Sequence, residues 1–290
     1  MESMKLGDAI ELMKPRVIWL LVLSAIGGYL IAAIPKINAL RLVEIAIAGL
    51  LSTGGSAAAN MLFEKDVDAL MTRTAKRPLP AGSISVKAAW VEMIVLTAAG
   101  LVLGYIWLGL MPFIFMLAGW VFYSIIYTLI LKRRTWLNIL IGGFAGNAAL
   151  LSGWAAAAPI NLEAMLLSFA VYLWIPAHIW SLVMRYSDDY RKAGIPMLPV
   201  LVRRSTAIST ISGLNILSTI YMLFLYVIYV NSIPGYIILL PFVAMSIYIS
   251  AKSLLNPTDD AFWTMFKMTS PILTMFILAA VLGLFMQFPP

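Results

Sequence analysis

Long, nearly continuous apolar stretches dominate the chain, and short polar segments separate them. Each stretch is about 20 residues long, the length of an α-helix that crosses a hydrocarbon core of ~30 Å. None alternates apolar and polar residues as the strands of a membrane β-barrel do. The pattern therefore predicts an all-α, polytopic membrane protein with nine transmembrane helices in one bundle. The predicted spans are 17–34, 42–63, 86–108, 111–131, 137–158, 162–184, 207–230, 234–254 and 266–288.

The composition indicates a lipid environment. Hydrophobic residues make up 62% of the 290 residues and charged residues 11%, which leaves more apolar surface than one water-soluble core can bury. In a bilayer every backbone N–H and C=O needs an internal partner, and helices supply it. We expect one domain over residues 1–290, because no low-complexity segment or long linker interrupts the chain. The mixed polar start of the chain predicts no cleavable signal.

The basic residues predict the orientation. With the N-terminus inside, 18 of the 20 lysines and arginines fall on cytoplasmic segments, and only Lys36 and Arg41 fall outside. This bias predicts a cytoplasmic N-terminus and an external C-terminus. Topology and anionic membrane lipids account for the net charge of +7, so we expect no nucleic-acid partner. The inside residues are Lys5, Lys14, Arg16, Lys65, Arg73, Lys76, Arg77, Lys87, Lys132, Arg133, Arg134, Arg185, Arg191, Lys192, Arg203, Arg204, Lys252 and Lys267.

The chain contains no cysteine, which excludes disulfides, thiolate catalysis and cysteine-ligated metals. It also lacks an Arg-rich targeting extension, which favours a prokaryotic plasma membrane. Its carboxylate-rich segments lie in loops and helix ends on one predicted side of the bilayer. We therefore expect an active site near the cytoplasmic face.

Residues 60–82, NMLFEKDVDALMTRTAKRPLPAG, carry the densest polar chemistry in the chain. If the helix of the second span continues past the membrane edge, Asn60, Glu64 and Asp68 recur every four residues and share one face, whereas Asp66 points away. Such a stripe suits Mg²⁺, which takes one or two carboxylates, waters and the phosphate oxygens of a substrate. The alternative is a solvated helix end whose charges set the topology. Candidates to bind a diphosphate follow in Arg73, Lys76 and Arg77.

A second acidic segment, residues 185–200, places Asp188 and Asp189 in a loop on the same predicted side. Paired carboxylates near membrane depth are costly unless they bind cations or each other. We therefore expect the two acidic segments to face each other across one cleft, with Mg²⁺ between them and a diphosphate bound to it.

Three runs carry a resemblance to a known family. Together they closely resemble the haem-prenylating branch of the UbiA family of intramembrane prenyltransferases. The resemblance is strongest over residues 13–206 and begins at MKPRV, while the last three spans match only as hydrophobic helices. The runs are DVDALMTRTAKRPLPAG (66–82), YTLILKRRTWLNILIGGFAG (127–146) and PAHIWSLVMRYSDDYRKAGIPMLPV (176–200).

The family's motifs assign candidate roles. Its first motif, N-x-x-x-D-x-x-x-D, matches Asn60, Glu64 and Asp68, with glutamate in the middle place. Its second motif, D-x-x-x-D, is replaced by residues 186–190 in the manner of the haem branch. The resemblance implies a catalytic set of seven residues. All of them except Asp66 and His178 are also implied metal ligands. That set is Asn60, Glu64, Asp66, Asp68, His178, Asp188 and Asp189.

The resemblance also implies a UbiA-like bundle with a lateral, lipid-facing cavity in which Mg²⁺ binds the substrate diphosphate. Metal ions and basic residues stabilise the departing diphosphate, and an apolar pocket keeps water from the carbocation. In the haem branch a farnesyl group passes from farnesyl diphosphate to a vinyl group of haem b, water adds, and haem O and diphosphate result. The implied protein partners are a haem A synthase or a terminal oxidase assembly partner.

Other residues of these runs are candidates for substrate binding. Lys132, Arg133 and Arg134 suit a diphosphate or haem propionates, although such clusters also serve as topology signals. Asn138 is a candidate substrate contact or an interhelical hydrogen bond. His178, the only histidine, is a candidate haem ligand, a base or a packing residue. The remaining candidates are Tyr127, Arg185, Tyr186, Tyr190, Arg191 and Lys192.

One departure bears on the acceptor. Where the haem branch has prolines after its IGG-x-AG run, this chain reads Asn147-Ala148-Ala149-Leu150. The first alternative is therefore a UbiA-type enzyme that acts on a quinone precursor or a lipid headgroup. The second is a cation-coupled transporter that uses the aspartates of both segments. Such transporters normally place their acids near the bilayer midplane, where the predicted spans hold almost none.

Overall fold

A computed structural model describes residues 6–288 of the chain. Within this range the chain forms helices joined by loops. Lys5, which the charge pattern puts inside, lies outside the described residues. The helices are α1 (Leu6–Leu12), α2 (Pro15–Ala33), α3 (Ala39–Phe63), α4 (Lys65–Leu70), α5 (Val86–Leu103), α6 (Leu110–Trp120), α7 (Asn138–Gly142), α8 (Phe144–Ala155), α9 (Leu162–Arg185), α10 (Ser187–Lys192), α11 (Leu198–Leu201), α12 (Arg204–Tyr229), α13 (Ile233–Leu255) and α14 (Asp259–Gln287).

Two helices continue as wider π-helices. α5 runs on through Gly104–Leu108, and α6 runs on through Val121–Leu131. With these extensions, eight helices of the described chain are long and apolar enough to cross a membrane. The prediction of a multi-pass helical membrane protein is confirmed.

The predicted fifth span, 137–158, is not one helix. It consists of α7 and α8, which meet at Gly143. The described range has nine crossings if this pair of short helices is counted as one crossing. The adjacent Gly142 and Gly143 weaken the helix, because glycine costs about 1 kcal/mol relative to alanine in a helix interior. Tyr127 packs into the space they leave, since a Cβ on Gly142 would lie 2.8 Å from the Tyr127 Cβ.

Side-chain caps mark the start of four long helices. Asn38 accepts the Leu40 amide at the start of α3, and Ser85, Asn161 and Thr258 accept amides at the starts of α5, α9 and α14. A cap of this kind satisfies one of the amides that a helix start leaves unpaired, and is worth about 1 kcal/mol. The polar residues between the apolar runs thus determine where several spans begin.

The long helices form a ring around a central cavity. α2 packs against α3 and α8, α9 packs against α8 and α14, and α14 closes the ring against α2. The π-helical end of α6 packs against α3. Residues 64–85, 132–137 and 186–203 contact one another at one end of the ring, which we call the loop end.

α2 and α8 approach each other through glycines. A Cβ on Gly28 would collide with the Leu150 carbonyl, and a Cβ on Gly153 would collide with the Ala25 carbonyl. Small residues at such contacts let membrane helices pack closely. The contact holds one wall of the cavity together.

We expect Gly153→Ala to lower the free energy of unfolding by about 1–3 kcal/mol, because the added methyl group meets backbone atoms that cannot rotate away. Thermal unfolding in detergent measures the change. The matched control is Gly213→Ala in α12, where a Cβ meets nothing within 4 Å and alanine favours the helix. Equal stability of the two variants would contradict the close packing of α2 and α8.

Candidate active site

A cavity of about 460 Å³ lies inside the ring. α2, α3, the π-helical end of α6, α8, α9 and α14 all contribute to its wall. Five basic and two acidic side chains reach this wall, so basic groups outnumber acidic ones, and most other lining residues are apolar. This distribution suits a ligand with a polyanionic head and an apolar chain. The charged lining residues are Lys14, Arg16, Glu64, Asp68, Arg73, Arg77 and Lys132.

The first acidic segment contains a break that the predicted continuous helix lacks. α3 ends at Phe63, and Glu64 (φ −110°, ψ 9°) separates it from α4. Hydrogen bonds from Glu64 N to Asn60 O (3.1 Å) and from Asp68 N to Glu64 O (2.7 Å) bridge the break. Asn60, Glu64 and Asp68 therefore still share the cavity wall, each at most 3% exposed. Asp66 points away, with its side chain 68% exposed.

Both buried carboxylates of this stripe are paired with cations. Lys132 Nζ lies 2.6 Å from both carboxylate oxygens of Glu64, and Arg77 Nη1 donates to Asp68 Oδ2 at 2.6 Å. Burial works to lower the pKa of Lys132, but the Glu64 carboxylate outweighs it and raises the pKa above its usual value. Removing one partner of a buried pair leaves an uncompensated charge, at a cost of roughly 3–5 kcal/mol. The four charges thus support one another at the cavity wall.

Asn60 belongs to a chain of hydrogen bonds. Its Nδ2 donates to Thr128 Oγ1 at 2.9 Å, and Thr128 donates to Tyr123 O at 2.8 Å, five residues back in the π-helix. Lys14 Nζ donates to Asn60 Oδ1. Both polar atoms of the Asn60 amide are thus engaged by protein groups, and its oxygen would bind a metal only after parting from Lys14.

Asp66 makes its contact outside the cavity. Arg133 donates from Nη1 and Nη2 to the two carboxylate oxygens of Asp66, at 2.7 and 2.6 Å. These hydrogen bonds hold the pKa of Asp66 below its usual value. Because Arg133 Nη2 also donates to Phe63 O at 2.9 Å, the pair ties α4 to the loop that follows α6.

The second acidic segment meets the first through Asp189. Its Oδ2 accepts hydrogen bonds from Thr72 Oγ1 (2.7 Å) and Arg73 N (3.3 Å). Burial works to raise the pKa of Asp189, but the hydrogen bonds from Thr72 and Arg73 outweigh it and hold the pKa below its usual value. Asp188 is exposed instead and pairs with Arg191 at 2.9 Å. The two segments therefore contact each other, but neither aspartate lines the cavity.

The five predicted metal ligands do not form one cluster. Within residues 6–288, no three His, Cys, Asp or Glu side chains are grouped closely enough to hold a metal ion by themselves. Mg²⁺ needs only one or two carboxylates when waters and substrate phosphates supply the other oxygens. Glu64 and Asp68, buried side by side on the cavity wall, are a donor set that fits this requirement.

Several predicted substrate-binding residues reach the cavity. Arg73, Arg77, Tyr127 and Tyr190 line it together with Lys132. Tyr186 lies behind this group, because the Arg73 guanidinium carbon sits 5.6 Å from the centre of its ring. The lining residues combine guanidinium, ammonium and phenol groups, all of which can donate hydrogen bonds to phosphate oxygens.

Other predicted residues lie away from the cavity. Asn138 is buried and donates from Nδ2 to Thr135 O at 2.7 Å, which closes the turn after α6. Arg185 lies 3.6 Å from Asp260 at the start of α14. The predicted residues that do not line the cavity are Asp66, Lys76, Arg133, Arg134, Asn138, Arg185, Tyr186, Asp188, Asp189, Arg191 and Lys192.

The charge pattern of the sequence predicts only a topology role for Lys14 and Arg16, yet both residues line the cavity. Lys14 precedes α2 in a left-handed conformation (φ 53°, ψ 59°), and Pro15 occupies the first turn. Burial and the nearby Arg77 lower the pKa of Lys14 to about 7. The sequence feature that could have placed these two residues at the site is their position in MKPRV, the run at which the family resemblance begins.

His178 lies in α9 on the apolar part of the wall. Its ring stacks between Trp174 and Phe266, with ring centres 4.4 and 4.6 Å away. Its Nδ1 lies 2.7 Å from Thr269 Oγ1 of α14. The predicted histidine therefore has a fixed orientation in the cavity wall.

Known proteins resemble this chain in sequence and in fold. The sequence pattern described as the UbiA prenyltransferase family matches residues 21–286. A protein named protoheme IX farnesyltransferase, from Caldivirga maquilingensis, is 50% identical over 96% of this chain and 99% of its own length. A digeranylgeranylglyceryl phosphate synthase structure has a TM-score of 0.76 at 20% identity, over 96% of this chain and 98% of that one. A UbiA homologue from Archaeoglobus fulgidus, described as bound to GPP and Mg²⁺, has a TM-score of 0.71 at 17% identity, over 94% and 99% of the two chains.

We expect Thr72→Val to loosen residues 71–85, because it removes the hydroxyl that binds the Asp189 carboxylate. A hydrogen bond to a charged group is worth about 1.5–3 kcal/mol, so amide exchange in this loop should rise by roughly tenfold or more. Hydrogen exchange read by mass spectrometry measures it. Ser83→Ala in the same loop removes only a long 3.3 Å bond to Pro78 O and should change little. Unchanged exchange in Thr72→Val would contradict the coupling of the two segments.

Proposed function

The chain belongs to the UbiA prenyltransferase family, and from that premise we propose that it transfers a farnesyl group from farnesyl diphosphate to a vinyl group of haem b. Water adds in the same reaction, and the products are haem O and diphosphate. The 50% identity to a protoheme IX farnesyltransferase, over nearly the whole of both chains, supports this acceptor and donor. A haem A synthase or a terminal oxidase assembly partner would then take up the product.

One observation carries the mechanism: two buried carboxylates, each paired with a cation, stand beside further basic residues at the head of an apolar cavity. Breaking an allylic C–O bond requires stabilisation of the negative charge on the departing diphosphate. Arg77 and Lys132 can contact phosphate oxygens while they keep their carboxylate partners. Arg73 and Arg16 supply further positive charge, and Lys14 adds to it when it is protonated.

Mg²⁺ held by Glu64 and Asp68 would neutralise part of the diphosphate charge and polarise the bond that breaks. Its use in this chain belongs to the proposal, supported by the fit of the two carboxylates and by a fold like that of the homologue described with GPP and Mg²⁺. The aromatic face of Tyr127, on the cavity wall, can stabilise a cation on the farnesyl carbon. The surrounding apolar residues keep water away until the new carbon–carbon bond has formed.

The acceptor chemistry completes the reaction. The vinyl carbon of haem b attacks the farnesyl carbon, which leaves a positive charge on the carbon next to the porphyrin. A water molecule adds there and loses one proton, so a hydroxyl group remains. The alternative acceptors, a quinone precursor and a lipid headgroup, have weaker support, because the lipid-forming synthase resembles this chain at only 20% identity.

We further propose that the loop end faces the cytoplasm of a prokaryotic cell, with the N-terminus inside and the C-terminus outside. The excess of lysine and arginine in segments at this end supports it. Farnesyl diphosphate, which is charged and water-soluble at its head, would then enter from the cytoplasmic side.

The direct test is to incubate purified protein with haem b, farnesyl diphosphate and Mg²⁺ and to measure a haem of higher mass. We expect a chelator to stop the reaction, and 4-hydroxybenzoate and a lipid headgroup acceptor to give no product. Product from 4-hydroxybenzoate but not from haem b would contradict the proposal and show that the acceptor is a quinone precursor.

We expect Glu64→Gln and Asp68→Asn to lower turnover on the order of 100-fold or more, because each removes a carboxylate that would hold the Mg²⁺ that stabilises the departing diphosphate. Each amide keeps an oxygen that accepts the hydrogen bond from Lys132 or Arg77, but the cation is left uncompensated at a cost of roughly 3–5 kcal/mol. Circular dichroism therefore checks that each variant is folded before its turnover is compared. Asp259→Asn, an exposed carboxylate paired with Arg204, is the matched control. Wild-type turnover in both cavity variants would refute the assignment.

Because the chain has no native cysteine, single cysteines can report the orientation. We expect Lys36→Cys to react with a membrane-impermeant maleimide in intact cells, and Ser83→Cys to react only after the cells are opened. Both positions are exposed, Lys36 in the loop between α2 and α3 and Ser83 in the loop before α5. Labelling of Ser83→Cys in intact cells would reverse the proposed orientation.

A further inference from the structure

The partner of His178 is itself held in place. Thr269 lies on α14 with a buried side chain, and its carbonyl accepts a hydrogen bond from Trp174 Nε1 at 2.6 Å. Its hydroxyl lies 2.7 Å from Phe266 O, three residues earlier in the same helix, and 2.7 Å from His178 Nδ1. One hydroxyl thus connects the α14 backbone with the histidine of α9.

The geometry selects one form of the neutral imidazole. A threonine hydroxyl has a single proton, and within helices it commonly goes to a carbonyl three or four residues earlier. When the Thr269 hydroxyl donates its hydrogen bond to Phe266 O, Thr269 Oγ1 can only accept a hydrogen bond from His178 Nδ1–H. The lone pair then resides on Nε2, which has no hydrogen-bond partner among residues 6–288 and sits on a ring that lines the cavity.

We propose that His178 Nε2 is an axial ligand of the haem iron and that Thr269 is the positioning residue that keeps this nitrogen unprotonated. The proposal rests on the function proposed above, because it takes haem b as the substrate. In metal sites a ligating histidine usually donates its other N–H to an oxygen, which sets the tautomer and the ring orientation. Thr269 is that oxygen here, and the stack of Trp174 and Phe266 restricts rotation of the ring.

Ligation fits the surroundings of His178 better than proton uptake does. A catalytic histidine that accepts a proton usually has a carboxylate behind it to stabilise the imidazolium. Here the group behind the ring is an uncharged hydroxyl, and the ring faces are covered by Trp174 and Phe266. An unpaired imidazolium in this apolar wall would be poorly solvated, whereas a neutral lone pair can bind iron.

The cavity also offers room for a flat ligand. Near the start of α8, every residue that lines the cavity is a glycine or an alanine. Short side chains there keep α8 from filling the part of the cavity beside the α9–α14 wall that carries His178. A tetrapyrrole held by its iron would be anchored at the apolar part of the cavity, away from the charged head where the diphosphate binds. The residues are Ala145, Gly146, Ala148 and Ala149.

The test compares binding of haem b and of metal-free protoporphyrin IX to the purified full-length protein in detergent, with absorption and resonance Raman spectra of the bound haem. We expect the wild type to bind haem b more tightly than the metal-free porphyrin and to show a histidine-ligated spectrum. In His178→Ala the two affinities should become equal, and added imidazole should restore the ligated spectrum. Equal affinities in the wild type, or a wild-type spectrum in His178→Ala, would overturn the proposal.

Thr269 is tested by a matched set of variants. We expect Thr269→Val to weaken haem b binding about 10-fold or more, to shift the iron–histidine signal and to leave metal-free porphyrin binding unchanged. Thr269→Ser keeps the hydroxyl and should restore the wild-type spectrum. Thr274→Val removes a hydroxyl whose one hydrogen bond within residues 6–288 is to Ser270 O in the same helix, and it should leave the spectrum unchanged. A wild-type spectrum in Thr269→Val would refute the positioning role.

The outcome separates this inference from the proposed function. Farnesyl transfer to haem b with no histidine-ligated spectrum in the wild type would sink the ligation alone. A ligated spectrum that depends on His178 and Thr269, in a protein that transfers no farnesyl group, would uphold ligation and sink the proposed function. The haem-binding spectra do not depend on farnesyl diphosphate, because the binding measurements omit it.

Discussion

The structure depends on pairing the two buried carboxylates of the cavity wall with cations inside a largely apolar bundle. Glu64 with Lys132 and Asp68 with Arg77 join the end of α3, the start of α4, the loop after α4 and the end of α6 at one wall of the cavity. A single unpaired charge at this depth would cost several kcal/mol. The pairs therefore stabilise the loop end and at the same time provide the carboxylates and cations that a diphosphate and a metal ion require.

This arrangement divides the cavity into two chemical regions. The charged head is built by residues 14–16, 60–77 and 132, whereas the far wall is apolar and carries His178 between two aromatic rings. A donor with a polyanionic head and a long apolar chain matches the charged head of the cavity and the apolar wall next to it. A flat acceptor with a central metal matches the second. The reacting carbons would meet where the two regions join.

Local irregularities bring these groups together. The break at Glu64 turns the chain without losing the four-residue spacing, and the π-helix of α6 lets Thr128 bind both Asn60 and Tyr123 O. The Gly142-Gly143 break makes room for Tyr127. Departures from regular helices such as π-segments are frequent at functional sites, and each of these three lies beside a residue of the cavity wall.

The sequence by itself determined the membrane class, eight of the long helices and the stripe of Asn60, Glu64 and Asp68, because hydrophobic run length and helical spacing are local properties. It also supplied the motifs behind the family resemblance. Only the tertiary structure decided which polar side chains face the cavity: Lys14 and Arg16 do, whereas Asp188 and Asn138 do not. Whether a polar residue lines a cavity, caps a turn or meets solvent depends on partners distant in sequence, such as Thr72 for Asp189 and Thr269 for His178. No local pattern of residues encodes those partners.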